Sequence, residues 1–186
     1  MDNIKANILK ELILSSEENF EIARDIAEHF EEIVKDAIKE FMRSVRNGLQ
    51  LVPSGGEFQI GKRSVELILL KKNRYNLVVG ISKDESLYYG IKIDKPKEEE
   101  QEKWNEVYNK LKRKGYIPGA IYGGKHWPWF WYYSGNIGYE GLVEMWFSSR
   151  EELFNEVVNA VAQEIKANLL DKLDEIERIL REFQLS

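Results

Sequence analysis

Cysteine is absent from the 186 residues, which excludes a disulfide framework, a thiolate metal site and a thiol nucleophile. Histidine is almost absent too. His29 and His126 are the only imidazoles, and neither stands in a His-x-x-x-His or Glu-x-x-His pair, so no metal site is expected. The opening Met1-Asp2-Asn3-Ile4-Lys5 lacks an apolar signal core. No stretch reaches the ~18 uncharged apolar residues that a membrane span requires, so a cytoplasmic location away from membranes is expected. Missing as well are a Gly-x-Ser-x-Gly elbow, a phosphate-binding loop and a dinucleotide fingerprint. Gly123-Gly124-Lys125 lacks both the first glycine and the following Ser or Thr of a phosphate loop. No cofactor and no catalytic residue are expected, and an enzyme is the least expected class.

What is present is apolar volume and charge. Apolar residues make up 43% of the chain and charged ones 32%, the balance of a globular protein with a charge-rich surface. The surplus is Glu and Lys, a composition typical of thermophilic proteins. The net charge of −5 is unevenly spread. Residues 1–47 hold 7 Lys/Arg against 11 Asp/Glu, residues 48–143 hold 15 against 11, and residues 144–186 hold 5 against 10. Acidic ends therefore frame a mildly basic middle.

Periodicity divides the chain into helical ends and a β-rich centre. Ile4, Ile8, Leu9, Leu12 and Ile13 share a helical face. Ser15-Ser16-Glu17-Glu18 reads as a capping box with Ser15 as cap. A long second helix follows, with an apolar stripe from Phe20 through Ile26, Phe30, Ile33, Val34, Ile38 and Phe41 to Val45, closed by Gly48. Pro53-Ser54-Gly55-Gly56 signals a turn. Runs at 65–70, 75–82 and 87–93, joined by short polar links, predict an antiparallel meander. Residues 98–114 predict a helix with Trp104, Val107, Tyr108 and Leu111 inward. Residues 142–147 read as a further strand. Ser149-Arg150-Glu151-Glu152 reads as a capping box opening one last helix, whose stripe runs from Leu153 to Phe183. The expectation is a single α+β domain, residues 1–186. In it a small antiparallel meander packs against long amphipathic N- and C-terminal helices, with the second and last helices in mutual contact.

The strongest local signal is Lys125-His126-Trp127-Pro128-Trp129-Phe130-Trp131-Tyr132-Tyr133. As a strand it places Trp127, Trp129, Trp131 and Tyr133 on one side, filling the core. The functional alternative is a stacking platform or pocket for bases or another flat ligand. Lys112, Arg113 and Lys114 end the preceding helix, where cations complement the helix dipole. With Lys71, Lys72, Arg74 and Lys125 they form basic clusters beside aromatics, the requirement of a nucleic-acid groove.

Three further features belong together. They are a helix over residues 22–45 containing Ala27-Glu28-His29-Phe30, strands ending in Leu87-Tyr88-Tyr89-Gly90-Ile91, and Trp127-Pro128-Trp129 followed by a long closing helix. Over residues 20–180 this resembles the C-terminal region of some PD-(D/E)XK nuclease superfamily proteins of prokaryotes and phages. That region follows their nuclease core. The superfamily's metal-binding motif needs an acidic residue, then Glu-x-Lys or Asp-x-Lys on a strand. The only match is Glu164-Ile165-Lys166, within the last helix, and Asp94-Lys95-Pro96-Lys97 has the wrong spacing. The resemblance thus implies an accessory module without the catalytic core. Its expected role is binding or assembly in nucleic-acid metabolism or host–virus conflict, with nucleic acid as partner. Two alternatives stand beside it: a protein-interaction or homodimerisation module, and a small-molecule sensor with an aromatic pocket.

Overall fold

The computed structural model describes residues 2–51, 56–83, 86–147 and 151–185, apart from the side chains of residues 2–5 and 147. The turn at Pro53–Gly55, part of the link at Asp84-Glu85 and the cap at Ser149-Arg150 lie outside the described residues. The chain forms two compact units, Met1–Ala37 and Ile38–Ser186, and the architecture is α+β.

The N-terminal unit holds α1 (Asp2–Ile13) and the start of α2 (Glu17–Gly48). The cap of α2 is Ser16 rather than Ser15. The Ser16 hydroxyl accepts a hydrogen bond from the Asn19 amide at 3.1 Å, while the Ser15 hydroxyl donates back to the Leu12 carbonyl at 2.7 Å and so closes α1. Contrary to expectation, the stripe of α2 is not buried along its length. Among its large apolar residues burial begins at Val34 and continues through Ile38, Phe41, Met42 and Val45.

The second unit is built on a five-stranded antiparallel sheet in the order β1-β2-β3-β4-β5. The strands are β1 (Phe58–Ile60), β2 (Ser64–Lys71), β3 (Asn76–Ser82), β4 (Tyr88–Lys92) and β5 (Trp129–Tyr132). The central meander follows the expected runs. At three residues, β1 is too short to show a period. Because side chains alternate across a strand, the register lines up rows on each face. Leu67, Val79, Tyr89 and Trp131 make one row, and Leu77, Ile91 and Trp129 another. All seven are buried.

Helices cover that face. Trp129 packs 6.3 Å from Trp104 of α3 (Gln101–Arg113). The Tyr89 hydroxyl donates to Glu164 of α5 (Glu151–Asn168) at 2.9 Å. Tyr75 donates to Glu177 of α6 (Leu173–Glu182) at 3.2 Å. The α2–last-helix contact exists within this unit as a contact with α5. Phe41 meets Phe154 edge-on at 5.7 Å, and a Cβ on Gly48 would touch the Ala162 side chain at 3.4 Å.

Two further expectations fail. Residues 142–147 belong to a helix, α4 (Tyr139–Phe147), not a strand. Tyr139, Leu142, Val143 and Trp146 fall at i, i+3, i+4 and i+7, a helical period that begins before the window read as β. The closing helix is also broken, by a 3₁₀ turn at Leu170–Lys172 between α5 and α6. Ile165 and Leu169 before the break and Ile176, Ile179 and Leu180 after it are all buried.

Candidate interaction surfaces

The basic clusters are largely committed to carboxylates. Lys72 lies 2.6 Å from Glu177, Lys71 3.5 Å from Glu57 and Lys125 3.2 Å from Glu98, while Arg74 is paired with Glu100. Lys112 donates to the Tyr108 hydroxyl at 3.3 Å and Arg113 to the Asn109 carbonyl at 3.3 Å, both within α3. Lys110 binds Glu182, and Lys114 adds to the field that, behind the Lys110 hydrogen bond, lowers the Glu182 carboxyl. The hydrogen bond from Lys72 likewise holds the Glu177 carboxyl below its usual range. Each basic cluster thus sends a lysine to an acidic residue of α6, and each also lines an open cleft, of about 540 Å³ beside Lys110, Lys112 and Arg113 and of about 250 Å³ beside Lys71, Lys72 and Arg74.

The aromatic run divides between core and surface. Trp129 and Trp131 are buried, so neither can stack on a ligand. Trp131 stacks on Tyr89 with ring centres 5.4 Å apart and donates to the Pro118 carbonyl at 2.8 Å. Tyr133 falls beyond the end of β5, its hydroxyl shifted upward by burial and by Glu164. Trp127 alone of the four joins the opposite sheet face.

There Tyr88, Phe130 and Tyr132 complete an open cleft of about 290 Å³ with Trp127 and Gly123. The rings meet edge to face, Tyr88 on Trp127 at 5.4 Å and Phe130 on Tyr132 at 5.4 Å. Glycines make the room. A Cβ on Gly80 would lie 2.7 Å from the Tyr88 ring, and one on Gly90 would lie 2.5 Å from the Trp129 carbonyl. Beneath the rings, Glu66 is buried, accepts the Tyr88 hydroxyl at 2.9 Å and pairs with Lys92. Lys92 also sits 5.7 Å from the centre of the Trp127 ring. Nothing in the sequence marked Tyr88 and Phe130 as cleft partners, because the cleft exists only once the strands and the loop at Gly123 are in register.

No group of three or more His, Asp or Glu side chains that could hold a metal occurs among the described residues. Glu164 of the Glu-x-Lys match accepts Tyr89 and both the amide and hydroxyl of Ser134, which ties the loop after β5 to α5. Burial and the neighbouring Glu164 carboxylate raise the Tyr89 hydroxyl well above the usual phenol range.

The largest surface anomaly is in the N-terminal unit. Ile8, Leu9, Leu12, Leu14, Phe20, Ile22, Ile26, Phe30 and Ile33 are each 38–62% exposed. On α2, Phe20, Ala23, Ile26, Ala27, Phe30 and Ile33 recur at helical spacing on one side. The charged residues occupy the other side, where Arg24 gathers Glu21, Asp25 and Glu28 into ion pairs. The sequence shows this stripe but not its exposure. A docking stripe and a core stripe have the same period.

No described helix is long and apolar enough to cross a membrane. No family model, curated protein or solved structure matches this chain.

Proposed function

We propose that this chain is a non-catalytic assembly module that docks a protein partner through the apolar stripe of its N-terminal unit. The observation carrying this reading is the set of nine large apolar side chains between Ile8 and Ile33 that remain 38–62% exposed. Monomers rarely expose contiguous apolar patches beyond about 300–600 Å² unless the patch is functional. Isolated helices of this length also gain most of their stability from packing an apolar face, which α1 and the first half of α2 lack. Nucleic-acid binding ranks below this, because Lys71, Lys72, Arg74 and Lys125 are already paired with carboxylates. If the partner acts in nucleic-acid metabolism or host–virus conflict, as the nuclease-region resemblance implies, this chain would supply attachment rather than chemistry.

The test separates a docking face from a core face. All five tryptophans, Trp104, Trp127, Trp129, Trp131 and Trp146, lie in the second unit, so their fluorescence reports that unit alone. A Phe20→Ser/Ile26→Ser/Phe30→Ser chain at dilution should unfold by this signal within about 1 kcal/mol of the parent. A loss of several kcal/mol would mean the stripe belongs to the core, and the docking reading would fall.

A further inference from the structure

We infer that the occupant of this stripe is a second copy of the chain, the two N-terminal units closing into a four-helix bundle; the inference rests on the docking reading above. The first support is geometric. Each unit carries two stripes, on α1 and on α2, that do not cover one another, since Ile8, Leu9 and Leu12 are 57–60% exposed while Phe20, Ile26 and Phe30 are 49–50% exposed. The turn between them is pinned by Asn19, whose side-chain amide donates to the Leu12 carbonyl at 3.0 Å and the Ser15 hydroxyl at 2.9 Å. The 12 residues of α1 span about 18 Å, and the α2 stripe from Phe20 to Ile33 spans about 20 Å. Two helices of equal reach are half a four-helix bundle, and a two-fold axis supplies the other half with the same surface.

Area is the second support. Nine large side chains, each about half exposed, present roughly 900 Å² of apolar surface, of the order of the ~800 Å² that each partner contributes to a stable interface. Charge is the third. The unit holds 4 Lys/Arg against 10 Asp/Glu, yet by helical spacing Glu21, Asp25, Glu28 and Glu32 lie on the face of α2 away from the stripe. A basic partner seated on the stripe would miss them, whereas a second copy would leave all of them in water.

The experiment is light scattering on the full chain from about 1 to about 100 µM, with hydrogen exchange of residues 20–33 at the highest concentration. The expected result is a mass rising from 21.8 kDa to twice that value. The rise should be stronger in high salt, because screening weakens repulsion between two acidic units. It should vanish in the Phe20→Ser/Phe30→Ser chain while tryptophan fluorescence still reports a folded second unit. A constant monomer mass with fast exchange over residues 20–33 would overturn the second copy but leave the stripe free for another protein. A constant monomer mass with slow exchange there would overturn the docking reading as well, since the chain would then cover its own stripe. A doubled mass that survives the double substitution would place the dimer contact elsewhere and overturn the inference.

Discussion

Val161→Asp is expected to unfold the second unit outright, while Ile33→Asp leaves it folded. The two residues carry the same kind of signal in sequence, a β-branched side chain on the apolar stripe of a long helix. Their surroundings differ. Val161 is completely buried, one turn from Val158 and Ile165 on the inner side of α5, whereas Ile33 is 38% exposed. A carboxylate at position 161 would have neither solvent nor a counter-charge, a cost of several kcal/mol against a total stability of about 5–15 kcal/mol. At position 33 the new carboxylate would reach water. Tryptophan fluorescence in a denaturant series checks both. Native-like unfolding of Val161→Asp, or a collapsed transition in Ile33→Asp, would contradict the assignment of core and surface.

Trp129→Ala should cost about 3–5 kcal/mol, the usual range for emptying a buried large aromatic site. Trp129 is completely buried where β5 joins the sheet and faces Trp104 of α3. Its row neighbours Ile91 and Leu77 cannot fill the space, because each is fixed by its own place in the ladder. For a chain of this size the loss corresponds to a fall in Tm of roughly 6–20 °C. Phe130→Ala is the control. Phe130 is the next residue but faces the open cleft and is only half-buried, so its loss should be clearly smaller. Equal losses at the two positions would mean that the alternation along β5 is wrong.

The contrast between these residues also shows how far the sequence was legible. The meander was plain because β2, β3 and β4 are apolar runs separated by short polar links, and short links leave little choice but hairpins. Trp129 and Trp131 carried two readings, core or stacking platform, and the volume a small sheet under helices demands favoured the core. Leu142 to Phe147 was misread because five apolar residues in six look alike in strand and helix until Tyr139 supplies the helical register. The break at Leu170–Lys172 left no mark in the periodicity, since the buried residues on either side of it would share one face of an unbroken helix. The fate of the cations was illegible for a simpler reason. The partner of Lys72 is Glu177 and that of Lys110 is Glu182, residues more than 70 positions away that only the docking of α6 brings near. The exposed stripe was hidden by the rule that made the rest readable, since periodicity tells which side of a helix seeks an apolar neighbour and not which chain provides it.

The most direct measurement uses the natural absence of cysteine. Ile26→Cys places the chain's single thiol on the stripe of α2, and Asp25→Cys places it on the charged side one residue away. The rate of maleimide labelling is then followed as protein concentration rises. Burial by a second copy predicts that labelling of Ile26→Cys slows as copies associate, while Asp25→Cys reacts at one rate throughout. Equal, concentration-independent rates at both positions would contradict it.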